Sequence, residues 1–185
     1  MLEEIICAGF GGQGVMLMGK LLALGGLQED KQVTWLPSYG AEVRGGTAHC
    51  MVKISDEEIA SPFIKHSDTC FVMNQLAFNK FGSYVKENGL MIINSSLVKR
   101  KTQRKKIKII SLPLTQIASS LGNIKVANTV ALGVYIANKK IIKLKSMLNA
   151  MEGFAGKDKR HLLKINEKAL REGQMKAQLM EHKRT

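Results

Sequence analysis

Cysteine is scarce in this chain: three in 185 residues, at positions 7, 50 and 70. No Cys-x-x-Cys occurs, and no Cys/His pair has the spacing of zinc ligands. A four-thiolate iron–sulfur cluster held by this chain alone is therefore excluded, and buried, reduced core thiols are the expected role. Aromatic residues are few, at 5%, and proline occurs three times. No apolar run approaches the ~20 residues of a membrane span; the stretch 130–137 is far shorter. The opening Met-Leu-Glu-Glu lacks the basic segment of a secretory signal. Low-complexity linkers and internal repeats are missing too. The expectation is one α/β domain over 1–185, cytoplasmic, with no membrane partner. The histidines, His49, His66, His161 and His182, are too scattered for a metal site, and none is expected.

Acid is what the second half lacks. Residues 1–98 carry 7 Lys/Arg against 10 Asp/Glu, whereas 99–185 carry 21 against 5, so the net charge of +13 is confined to one half. The block "KRKTQRKKIK" (99–108) has seven basic residues and no acid. Such asymmetry points to an anionic partner or to a solvated basic edge. The block also has no aromatic for base stacking, which argues against nucleic acid.

Hydrophobic periodicity is plentiful. Short strands are expected at 3–8, 31–37, 47–55 (half-exposed, from its alternation), 68–74, 90–95 and 107–113. Helices are expected at 12–28, 75–86, 114–121, 126–140, 143–151 and 158–182. The helix at 126–140 is apolar on nearly every face and so should be buried. The last is strongly charged, with Leu162, Ile165, Ala169 and Leu170 as its stripe. Strands alternating with helices predict an α/β three-layer sandwich, with a Rossmann-like, mostly parallel sheet that admits mixed pairing and helices on both faces. The runs 3–8, 68–74 and 90–95 are almost continuously apolar, as strands covered on both sides must be.

Two loops stand out. "AGFGGQGV" (8–15) places Gly9, Gly11, Gly12 and Gly14 around Gln13, after a strand and opening a helix. Its G-x-G-x-x-G spacing suits a phosphate or carboxylate at a helix N-terminus, which makes a free-standing dinucleotide-binding α/β protein one reading. That reading needs an acid some 20 residues on, at the end of the second strand, to hold a ribose. Thr34, Trp35, Leu36 and Pro37 occupy that place, and Glu29 and Asp30 precede the strand. A turn approached closely by a partner backbone or another anion fits better. The second loop, "PSYGAEVRGGTAHC" (37–50), crowds Tyr39, Glu42 and Arg44 between Gly40, Gly45 and Gly46, which reads as a site or as an ion-paired turn. Asn74 ends a core strand, where open α/β sheets place ligand contacts.

These loops, followed by "SP" at 61–62, "MNQ" at 73–75 and "KVANTVALG" at 125–133, resemble the gamma subunit of 2-oxoacid:ferredoxin oxidoreductases, most closely the 2-oxoglutarate branch. The similarity runs from about residue 3 to 172, with the motifs in matching order. The resemblance implies an oxidoreductase that converts a 2-oxoacid and coenzyme A to acyl-CoA and carbon dioxide, succinyl-CoA in the 2-oxoglutarate case. Ferredoxin or flavodoxin takes the electrons.

Thiamine diphosphate, magnesium and iron–sulfur clusters would belong to alpha, beta and delta-type partner subunits, with no cofactor held by this chain alone. No Gly-Asp-Gly with a following asparagine, the thiamine diphosphate signature, occurs here. The isolated chain is thus expected to be inactive, with no catalytic nucleophile or base of its own. Its exposed subunit surface admits a homodimer. Loops facing the active site or a cofactor are implied at Gly9, Gly11, Gly12, Gln13 and Gly14; at Ser38, Tyr39, Gly40, Glu42, Arg44, Gly45 and Gly46; and at Asn74 and Asn128. Arg44 is expected to meet an anionic group, with Tyr39 beside it. The 99–108 block matches no family feature; an acidic electron acceptor facing it would make that contact salt-sensitive.

Overall fold

A computed structural model describes residues 1–38, 47–99, 104–155 and 160–182. Six strands form one sheet in the order β2-β3-β1-β4-β5-β6: β1 Leu2–Gly9, β2 Gln32–Ser38, β3 Ala48–Ser55, β4 Ser67–Val72, β5 Val85–Asn94 and β6 Lys108–Leu112. β1, β4, β5 and β6 run parallel to one another, while β3 runs antiparallel to both β1 and β2. The sheet is mostly parallel and mixed at one side. Successive residues of β1 enter separate cores, Ile5 and Cys7 on one face and Ile6 and Ala8 on the other.

The helices cover those faces unequally. On the first lie α1 Val15–Leu27, α3 Leu114–Ser120, α4 Ala127–Asn138, α5 Leu144–Ala155 and α6 Leu163–His182. The second is covered by α2 Gln75–Phe81 and by loop residues such as Ile64 and Val98. The all-apolar α4 is buried, as its composition requires, because α6 packs over the side turned away from the sheet. Gly133 of α4 and Gly173 of α6 make this approach possible. A Cβ on either would lie 2.0 Å from a carbonyl of the opposite helix, that of Leu170 or Val130.

Several boundaries differ from the sequence reading. β3 is buried along both faces rather than half-exposed, because Cys50 and Val52 face one core and Met51 the other. Its Lys53 is tolerated there through an ion pair with Glu4 at 2.9 Å. α2 stops at Phe81, where the Gly82 N–H closes on the Phe78 carbonyl at 2.9 Å, and β5 begins at Val85. The final helix starts at Leu163 after a 3-10 turn at 160–162, and its buried stripe is Ala169, Leu170, Gly173 and Ala177. Leu162 and Ile165 are half-buried at its start.

Candidate binding site at the carboxyl ends of the strands

The glycine loop leaves the carboxyl end of β1. The register pairs Gly9 with Ala48 and Ser38 with His49, so both loops singled out in the sequence spring from the same end of the sheet. Tyr39, Gly40, Glu42, Arg44, Gly45 and Gly46 lie outside the described residues. Ser38 is the last residue of β2.

What approaches the glycine loop is a set of the chain's own amides. The Gln13 carbonyl oxygen accepts from the Phe10 N–H at 2.9 Å and from the Asn74 amide at 3.2 Å, while the Gln13 amide donates to the Met73 carbonyl at 3.0 Å. Asn74 lies past the end of β4 and caps α2, its Oδ1 accepting from Ala77 N–H at 2.8 Å. Asn128, at the start of α4, donates to the Gly14 carbonyl at 3.2 Å. Thr129 in turn donates to Asn166 of α6 at 2.7 Å.

The glycines match these neighbours. Gly14 has φ 70° as it caps α1, and a Cβ there would sit 2.4 Å from the Asn128 amide nitrogen. Gly12 has φ 96°. A Cβ on Gly9 would meet Gln13 Oε1 at 2.6 Å, whereas one on Gly11 would meet nothing within 4 Å.

Sequence reasoning missed Asn94. This fully buried residue ends β5, donates to the Met73 carbonyl at 3.2 Å and to Thr115 Oγ1 at 2.8 Å, and accepts from the Thr115 N–H at 3.3 Å. The signal was present, since "FVMN" and "LMIIN" each close an apolar run with asparagine. Met73 O thereby collects two side-chain amides and ties the ends of β4 and β5 to the glycine loop.

Beside this network opens a cleft of about 250 Å³, lined by Phe10, Gly12, Gln13, Met73, Leu97, Thr115, Ile124, Lys125 and Ala127. Its rim is apolar and exposed, Phe10 at 44%, Leu97 at 39% and Ile124 at 58%. Lys125 supplies a cation. The sheet's ion pairs gather at the opposite ends of β1 and β4. There Glu4 meets Lys86 at 2.7 Å and Lys53 at 2.9 Å, and Glu3 meets Lys139 at 3.1 Å and Thr69 at 2.6 Å. Burial raises the Glu3 carboxyl; burial acts the same way on Glu4 but is overcome by Lys86 and Lys53, which hold it low.

The topology also bears on a dinucleotide. β3 is inserted between β1 and β2, so the strand that follows α1 lies two spacings from β1, about 9.6 Å. In a dinucleotide fold the strand carrying the ribose acid adjoins the first. Glu29, one of the two acids that precede β2, is instead taken up by α5, accepting from Ser146 and from the Lys143 N–H at 2.9 Å.

A family profile described as pyruvate ferredoxin/flavodoxin oxidoreductase matches residues 4–175. The ketoisovalerate oxidoreductase subunit VorA of Methanothermobacter marburgensis is 36% identical over 168 residues, which cover 90% of this chain and 34% of that protein. This chain thus spans about a third of the VorA length. The 2-oxoglutarate synthase subunit KorC of Methanocaldococcus jannaschii is 34% identical over 154 residues, 82% of each chain. Among solved structures, the keto/oxoacid ferredoxin oxidoreductase gamma subunit from Geobacter sulfurreducens superimposes with a TM-score of 0.83 at 28% identity, over 96% of this chain and 99% of that one.

Proposed function

This chain belongs to the pyruvate ferredoxin/flavodoxin oxidoreductase family, and on that premise we propose that it serves as the gamma-type unit of a 2-oxoacid oxidoreductase that reduces ferredoxin or flavodoxin. The proposed substrates are 2-oxoglutarate and coenzyme A, and the products succinyl-CoA and carbon dioxide. One observation carries the reading: the family match spans residues 4–175, a range that includes both loops and the asparagines that fasten the glycine loop.

The residues present do not fit an iron–sulfur cluster. The three thiols are buried within the sheet, Cys7 and Cys50 on one face and Cys70 on the other, whereas a cluster wants about four on one side. Among the described residues no three His, Cys, Asp or Glu gather as metal ligands. In this reading iron–sulfur clusters, thiamine diphosphate and magnesium belong to alpha, beta and delta-type partners, as the family resemblance implies. The proposed contribution of this chain is binding and shape. The rim formed by Phe10, Leu97 and Ile124 packs against a partner and excludes water. Lys125, and Arg44 from the neighbouring loop, meet anionic groups of a substrate or a partner. Cofactors carry the electron chemistry and proteins position them.

The test is reconstitution. The chain is combined with alpha, beta and delta-type subunits from the same source, and dye reduction dependent on 2-oxoacid and coenzyme A is measured with 2-oxoglutarate, 2-oxoisovalerate and pyruvate in parallel. Activity that requires this chain and is highest with 2-oxoglutarate is expected. Full activity without the chain would overturn the assignment, and a higher rate with another 2-oxoacid would overturn the substrate. In that assay Arg44→Ala is expected to raise the KM for an anionic substrate or to weaken assembly.

A further inference from the structure

The buried thiols have no part in the function proposed above, yet two of them face each other. Cys7 of β1 and Cys50 of β3 are direct partners in an antiparallel register. Facing residues of such a pair lie about 4.5–5.5 Å apart at Cα, inside the about 4.4–6.8 Å that a disulfide spans. Their side chains share one face, since both enter the same core, while Cys70 of β4 enters the other. The Cys50 sulfur also donates to the Val15 carbonyl at 3.3 Å, next to the glycine loop.

We propose that Cys7 and Cys50 form a redox-active dithiol that hydrogen peroxide converts to a cross-strand disulfide, a modification site independent of the function proposed above. Cys50 sulfur attacks one peroxide oxygen, the O–O bond breaks, water leaves and a sulfenic acid remains on Cys50. Cys7 sulfur then attacks the Cys50 sulfur, expelling a second water as the S–S bond forms. Two thiols are oxidised and one peroxide is reduced to two waters, and an external dithiol reverses the change.

The order follows from the surroundings. Donation from the Cys7 thiol, with the Trp35 indole and the Gly19 backbone turned toward the same sulfur, holds the Cys50 thiol below its ordinary range against burial. Burial pushes Cys7 well up. Cys70, with no such neighbours, is pushed by burial up to about 12. A thiol that ionises more readily attacks peroxide first. Peroxide is water-sized, and local opening near the sheet edge admits it slowly. The disulfide would lie two residues below the Gly9–Ala48 pair, clamping the strand ends from which the two site loops spring.

The test treats the full native chain with graded peroxide, blocks the remaining thiols, digests with trypsin and searches for a link between peptides 1–20 and 45–53, with Cys70 reporting separately from 66–80. Exposed Met175, converted to its sulfoxide, calibrates the dose. The expected result is one linked pair reversed by dithiothreitol, with Cys70 still reduced. Trp35, the single tryptophan, should lose fluorescence in step with the link. In Cys7→Ser, dimedone should trap a sulfenic acid at Cys50; in Cys50→Ser, it should trap none at Cys7. Complete Met175 sulfoxidation with all thiols reduced would overturn the proposal. So would Cys70 oxidising as fast as the pair, which marks unfolding. If neither variant folds, the linked peptide in the unmutated chain decides.

Discussion

At the scale of single residues, the glycine loop separates positions that must be glycine from one that need not be. Gly14 adopts φ 70°, and a Cβ there would lie 2.4 Å from the Asn128 amide nitrogen. Gly14→Ala should therefore cost about 1–2 kcal/mol for the left-handed backbone alone, and more for displacing Asn128. Gly11→Ala meets nothing within 4 Å and should shift the urea midpoint hardly at all, within about 0.5 kcal/mol. Equal losses from both substitutions would sink this account of the loop. Glu29 makes a second case. Hydrogen bonding from Ser146, then from Lys143, lowers its pKa from 4.5 to about 2. With the folded value below the unfolded one, the native state favours the ionised carboxylate. That contribution is full above pH 4.5 and fades as pH falls through about 2. Glu29→Gln should flatten the fall of unfolding free energy across that window, and an unchanged slope would count against the α5 contact. Burial raises Glu3 instead, so its protonation adds stability as pH falls toward 4.5, before the Glu29 window is entered.

Among elements, the α4–α6 contact dominates the covered face. Gly133→Ala or Gly173→Ala would drive a methyl group to 2.0 Å from a carbonyl oxygen, and rigid helix backbones cannot yield locally. Each should cost about 3 kcal/mol or more. Because the helices separate once, the double variant should cost less than the sum of the singles, as equilibrium unfolding would show. α4 was legible in the sequence as a buried helix, since an apolar surface all round admits no other place. What covers it was not, because apart from Leu170 the buried stripe of α6 is alanine and glycine, which leave a weak signal in a charged sequence. The same limit applied to strands. Ile5, Ile6 and Cys7 announce a strand covered on both faces. The His49 and Lys53 of β3 look solvent-facing until the Glu4 ion pair and the neighbouring α2 are known. Strand order was also hidden, since no local pattern says that β3 inserts between β1 and β2. Of the site, the loop glycines, Gln13, Asn74 and Asn128 could be marked from motifs, while Asn94 and Lys125 emerged only when the strand ends and α4 came together.

Across the whole molecule, the charge asymmetry acquires a location. The basic second half supplies β6 at one edge and the α3–α6 layer on one face, while the first half builds the rest of the sheet. The cleft at the carboxyl ends opens among apolar residues, with Phe10, Leu97 and Ile124 exposed around it. These two surfaces differ in the force they offer. Charge-driven contacts with the basic layer weaken as salt shortens the screening length, to about 3 Å at 1 M. Apolar contacts at the rim do not share that dependence. A rim that packs against a partner subunit therefore makes a specific demand. Ile124→Asp replaces a side chain 58% exposed in the free chain, so it should leave the thermal midpoint of the isolated protein nearly unchanged. In the assembled enzyme the same carboxylate would be buried without a partner, a cost of several kcal/mol, and copurification with the alpha-type subunit should be lost at low and high salt alike. Lys105→Glu on the basic edge, another exposed position, should spare assembly and weaken the salt dependence of electron transfer to an acidic acceptor. If Ile124→Asp assembled normally while Lys105→Glu did not, the partner would sit on the basic edge, and the cleft would open to solvent in the complex.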